Sequence, residues 1–238
     1  MHVKDQRVFE KVEALKVYID QCDTFATEIE LEGAVPSPTD FLIPNGGMIY
    51  QYVKPKKYLK WKKIVKKTFN LNLDQYVQHL PLLILSMISE SMLQSENEVA
   101  LDNYLSKYAL QKGKRMLGVE NFQEHIDVLK LIPIDFQIKA LNDVLRNVKA
   151  FRKQVKLLTK YYLSQDIYKL YKAAKHSLQD SRKVMLYERN FKMADSIEVM
   201  INQQSTFIAV GAGHMAGKKG LIKLLKDKGF KLRPLLLG

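Results

Sequence analysis

Thr206-Phe207-Ile208-Ala209-Val210-Gly211-Ala212-Gly213-His214 reads as a short strand running into a glycine-rich turn. β-branched and aromatic side chains suit a pleated, buried surface, and the glycines let the chain turn sharply away from it. Downstream, Leu221, Ile222, Leu224 and Leu225 share one helical face while Lys218, Lys219, Lys223 and Lys226 take the other. Gly229 stops that helix, and Phe230 to Leu236 reads as one more strand. Strand, loop, helix, strand is the unit that builds parallel or mixed sheets.

Working outward, residues 24–31 are short and rich in β-formers, and residues 115–120 read as a short buried strand. Val8, Val12, Leu15 and Ile19 recur at helical spacing over residues 7–21. Residues 33–47 hold Pro36, Pro38, Pro44, Asn45 and Gly46 and read as a long loop. Helices are expected over 74–94, with a break at Pro81, over 98–112, and almost continuously over 122–203, interrupted at Pro133. The expected fold class is therefore α/β (α+β-like): a mixed central sheet built from N- and C-terminal segments. A large helical insertion spans about 48–203 of a single 1–238 domain. Strands 24–31, 115–120, 206–211 and 230–236 are expected to share that sheet.

Composition sets outer limits. Of 238 residues, 47% are hydrophobic and 26% charged, as in a folded globular chain. The longest apolar stretch, Leu80 to Ile88, falls well short of the ~20 residues that a membrane-spanning helix requires. One cysteine, Cys22, excludes an intrachain disulfide framework and cysteine-based zinc fingers. Walker loops, G-x-S-x-G elbows, G-x-G-x-x-G fingerprints and H-E-x-x-H motifs are absent.

In open α/β sheets, sites form beyond the carboxyl ends of the strands. Glu28 and Glu120 lie at or near such ends, and His214 lies just past one. Each has a plainer reading. Glu28 and Glu120 suit solvent-facing strand positions, and His214 suits an ordinary glycine-rich turn. Among the other histidines, His79 reads as a cap or core residue, while His125 and His176 read as solvated helix positions. Arg189-Asn190 falls among alternating charges, where a solvated face is the usual meaning.

Thirty-eight Lys and Arg against 25 Asp and Glu leave a charge of +13. Eight of those lysines fall between Lys54 and Lys67, interleaved with Tyr58, Trp61 and Val65. The segment reads as a surface helix with its aromatic stripe in the core. An anionic membrane surface is the alternative partner considered for Lys54–Lys67, and no specific nucleic acid is expected.

Phe207 to Leu235, with its strand, G-x-x-H, helix and aromatic strand, resembles the C-terminal signature of the TraB/GumN family. That family includes the PrgY pheromone-shutdown proteins and the TIKI proteases. Met1-His2 resembles the end of a first G-x-x-H motif that lacks its glycine and leading strand. Leu80-Pro81, Leu101 to Leu105, Lys114 to Glu120 and Tyr187 to Asn190 resemble further family segments in order. The resemblance implies a metal-dependent, peptidase-like hydrolase acting on a peptide or protein substrate. His2, Glu28 and His214 would hold a divalent metal, Mn, Co or Zn. Glu120 or Glu28 would accept the proton of water; Arg189 would stabilise the oxyanion, with Asn190 orienting it and Asp102 holding Arg189. A non-catalytic, peptide-sequestering protein of the pheromone-shutdown type is the alternative.

The N-terminus lacks a secretory signal, which reads as cytoplasmic for the chain as it stands. A start assigned too late, with a lost strand and leader upstream, would place the protein in the cell envelope or periplasm.

Overall fold

The computed structural model describes residues 6–29, 37–93 and 99–235. In chain order the main elements are α1 (Gln6–Phe9), α2 (Val12–Asp20), β1 (Thr24–Ile29), α3 (Pro55–Phe69), α4 (Pro81–Met92), α5 (Leu101–Gln111) and β2 (Arg115–Glu120). Then follow α6 (Phe122–Leu131), α7 (Ile134–Arg146), α8 (Val148–Leu163), α9 (Ile167–Leu178), α10 (Arg189–Gln203), β3 (Thr206–Ala209) and α11 (Leu221–Asp227). The chain is an α/β protein. It divides into two compact units, one of residues 1–34, 94–125 and 158–238, the other of residues 35–93 and 126–157.

The first unit holds a three-stranded sheet in the order β2-β1-β3, with both pairings parallel. Side chains alternate across a strand, so β1 needs cover on two faces. Phe25 points to one face, stacks on Phe207 and packs with Val12, Ile19, Leu101 and Leu105 of α2 and α5. Ala26 points to the other, where Met193, Ala194 and Ile197 of α10 and Leu221 of α11 close the second layer. The strands run in one direction, so their carboxyl ends gather at one sheet edge.

The expected fourth strand is not formed among the described residues: 230–235 carries no strand pairing. Gly229 takes φ +93° after α11, the Phe230 amide bonds back to the Leu225 carbonyl, and residues 231–235 are exposed. Pro234 has no N–H to offer a ladder. The N-terminal helix is also split in two between Phe9 and Val12.

The second unit is helical. Trp61 and Val65 of α3, Ile84 and Ile88 of α4, and Leu141 and Leu145 of α7 form its core. Pro81 occupies the first turn of α4, where its missing N–H costs nothing, so the apolar run breaks there as its sequence requires. Buried Gln137 is fully used: its Nε2 donates to the Ile132 and Leu129 carbonyls and its Oε1 accepts from the Leu82 amide.

Candidate functional site

At the carboxyl edge of the sheet, Glu28 near the end of β1 and Glu120 at the end of β2 both face Arg189, the first residue of α10. The guanidinium is buried and acts as a clamp. Its Nε donates to Glu120 Oε1 and Oε2 at 2.9 and 3.0 Å, and its Nη2 donates to Glu120 Oε2 at 2.5 Å and to Glu28 Oε1 at 2.8 Å. A planar fork reaches both carboxylates at once, which a lysine ammonium could not match. A π-helical turn, Lys183–Glu188, immediately precedes Arg189, and such wider turns often mark functional sites. The remaining acceptor of Arg189 is the Met185 carbonyl. Asp102 is not among its partners; that residue lies on α5, within electrostatic reach of Tyr162.

His214 arrives from the turn after β3. It is 8% exposed, with Nδ1 2.5 Å from Asn190 Oδ1 and Nε2 3.7 Å from Glu28 Oε1. Asn190 is fully buried, and its Nδ2 donates to the Lys219 carbonyl at 2.6 Å and to the His214 carbonyl at 3.4 Å. Those two carbonyls fix the amide orientation, so Oδ1 is the atom facing the ring. An acceptor there requires a proton on Nδ1 and leaves the lone pair of neutral His214 on Nε2, toward Glu28. Asn190 therefore bonds His214 rather than Arg189.

The glycines of the turn serve close approach. Gly211 donates its amide to Glu28 Oε2 at 2.8 Å, and a β-carbon there would lie 2.9 Å from that oxygen. Gly217, at φ +93°, lies under Tyr171 of α9, where a β-carbon would come within 2.4 Å of the ring.

Burial is the largest influence on Glu28 and works to raise its pKa. The charges of His214, protonated once the solution is acidic enough to titrate Glu28, and of Arg189 outweigh it. With the Gly211 amide they hold the carboxyl at about 2. Glu120 is also held below the usual carboxylate range, burial being outweighed by His125 and Arg189. Burial, then the nearby Arg189, pushes His214 below the ordinary histidine value, so its ring is neutral near pH 7. Two carboxylates and one guanidinium leave the cluster with a formal charge of −1.

His125 reaches this site although its sequence setting suggests a solvated helix position. It lies in the first turns of α6, directly after β2, and the tight strand-to-helix turn carries its ring back to the sheet edge. Its side chain is 18% exposed, and Nδ1 lies 3.9 Å from Glu120 Oε2, beyond hydrogen-bond range, with no hydrogen-bond partner among the described residues. The available signal was its position five residues after a strand-end glutamate. His79 instead packs edge-on against Tyr76, His176 is exposed, and His2 lies outside the described residues.

The donor set can be tested against a divalent ion. His214 Nε2 and Glu28 Oε1 converge at a separation that suits two ligands of one ion, and imidazole with carboxylate suits Mn, Co or Zn. Among the described residues no group of three His, Cys, Asp or Glu side chains is arranged to hold a metal. The fit is therefore a two-donor fit.

A parallel α/β sheet with acidic, imidazole and guanidinium groups gathered at its carboxyl edge defines the class. The sequence profile of the TraB/PrgY/gumN family matches residues 1–234, and the chain belongs to that family. It is similar to the metalloprotease TIKI2 of Danio rerio, 23% identical over 63% of this chain and 35% of that protein. It is also similar to the metalloprotease TIKI homolog of Nematostella vectensis, 24% identical over 63% of this chain and 38% of that protein. The chain thus matches little more than a third of the length of these curated relatives. No solved structure matches it.

Proposed function

We propose that this chain is a metal-dependent hydrolase acting on peptide bonds. The observation that carries the reading is the His214–Glu28 pair, with the imidazole tautomer set by Asn190 so that Nε2 faces the carboxylate. His214 and Glu28 would hold the ion, with His2 as the further ligand. A bound divalent ion supplies Lewis acidity and lowers the pKa of water. Glu120, ionised and beside the unpartnered Nδ1 of His125, would take the proton of the attacking water. Arg189 lies between both carboxylates and would offer its guanidinium N–H groups to the oxygen that gains charge in the transition state. The names of the TIKI relatives support a protein or peptide substrate.

One observation favours a second reading, a peptide-binding protein without catalysis. Arg189 already neutralises one of the two negative charges of Glu28 and Glu120, which weakens both as metal ligand and as base.

One experiment separates the two. The protein is stripped with a chelator, reloaded with Mn, Co or Zn, and assayed for bound metal and for cleavage of a peptide library, beside His214→Ala and Glu28→Gln. Hydrolysis requires metal-restored cleavage, with losses of at least ~100-fold in both variants at unchanged thermal stability. Peptide binding without cleavage under every ion would reject hydrolysis in favour of sequestration.

A further inference from the structure

The chain's positive charge is unevenly placed. Fifteen of its Lys and Arg but only six of its Asp and Glu fall in the second unit, so that unit carries +9 of the total +13. The site described above is built wholly from residues of the first unit. Such asymmetry points to an anionic partner.

Helix α3 concentrates it. Over Pro55–Phe69 there are seven lysines and no acidic residue. Tyr58, Trp61 and Val65 are buried, which fixes the orientation of the helix. Lys56, Lys60, Lys63 and Lys67 therefore form one line along the opposite, exposed face. Among the described residues none of these four has an acidic partner, and the ion pair that the helix makes there, Lys62–Asp74, lies at its flank. Holding four like charges in a row costs self-repulsion that an opposing anionic surface would relieve.

We propose that this face of α3 docks on an anionic phospholipid bilayer. Apolar groups beside the lysines separate a bilayer from a nucleic acid. Leu59 is 56% exposed among the lysines, and Tyr52, just before the helix, is 38% exposed. An exposed leucine among lysines, with a half-exposed tyrosine just before the helix, suits the headgroup boundary and has nothing to read on a phosphate backbone. The aromatic rings of the helix itself, which would stack on bases, are in the core: Trp61 is 2% exposed. α3 also contains no arginine, the residue suited to bidentate phosphate contacts. This docking stands independently of the hydrolase reading.

The test is cosedimentation of the full chain with vesicles of phosphatidylcholine alone and of phosphatidylcholine with 30 mol% phosphatidylglycerol, at about 0.1 M salt. Each lysine near such a surface changes the partition coefficient about five-fold. Lys56→Gln, Lys60→Gln, Lys63→Gln and Lys67→Gln together should therefore weaken binding by a few hundred-fold, and Leu59→Ser should weaken it further at constant charge. All five side chains are exposed, and unchanged far-UV circular dichroism verifies the fold. A control replacing Lys172, Lys175, Lys223 and Lys226 of the first unit with Gln should bind nearly as well as the wild type. The proposal is overturned by equal binding to uncharged vesicles or by failure to bind anionic ones. An equal loss in the control, or preferential capture by single-stranded RNA at matched phosphate concentration, would overturn it as well.

Discussion

Arg189→Met tests the central geometry most directly. The substitution keeps the bulk of the side chain and removes every bond to Glu120 and Glu28. Glu120 would remain a buried carboxylate without a counter-charge, and breaking a buried pair in this way costs about 3–5 kcal/mol. The pH dependence has a definite sign. In the wild type both glutamates titrate below their ordinary value, so acid removes stability. Without the guanidinium, burial is opposed only by His214 and the Gly211 amide at Glu28 and by His125 at Glu120, so both carboxyls titrate higher than in the wild type. The folded variant then loses less stability in acid than the wild type does. The gap between the two proteins should shrink as pH falls from 7 to about 3. Adding Glu120→Gln to the variant should recover about 1–3 kcal/mol. The single tryptophan, Trp61, sits in the second unit, so its fluorescence reports the wrong region. Hydrogen exchange of the β1 amides is the suitable readout. A gap under ~1 kcal/mol at pH 7, or one indifferent to pH, would refute the clamp.

Three further outcomes are expected. Glu28, lowered from 4.5 to about 2, contributes stability that is present above pH 4.5 and is lost as pH falls through 2. That contribution is about 3 kcal/mol, and an acid titration followed by circular dichroism should show a shallower loss in Glu28→Gln. Asn190→Ala leaves the Lys219 carbonyl without its donor and should cost about 1–3 kcal/mol. In 15N spectra, His214 should change from a single Nδ1-protonated tautomer to a mixture of both. Gly220→Ala would bring a β-carbon to 2.2 Å from the Ala216 carbonyl oxygen, a backbone atom with little room to yield. A marked fall in melting temperature is expected, and an unchanged one would mean that the turn before α11 is built differently.

Local pattern alone determined much of this protein. Residues 24–29 and 206–209 are strands because β-branched and aromatic side chains suit a buried pleat, 115–120 is a short apolar run after the helix stop at Gly113, and the break at Pro81 follows from a missing N–H. Knowing that parallel strands end together was enough to bring Glu28, Glu120 and His214 to one edge. Partner choice was not legible in this way. Arg189 meets Glu120 across 69 positions and Glu28 across 161, and Glu28 meets Gly211 across 183. Only tertiary structure could decide that Arg189 clamps both carboxylates, that Asn190 serves His214, that His125 turns inward, and that residues 230–235 leave the sheet. Periodicity reports which face of an element is buried. Which polar atoms then meet there depends on through-space distances set by packing, and no local run of residues encodes them.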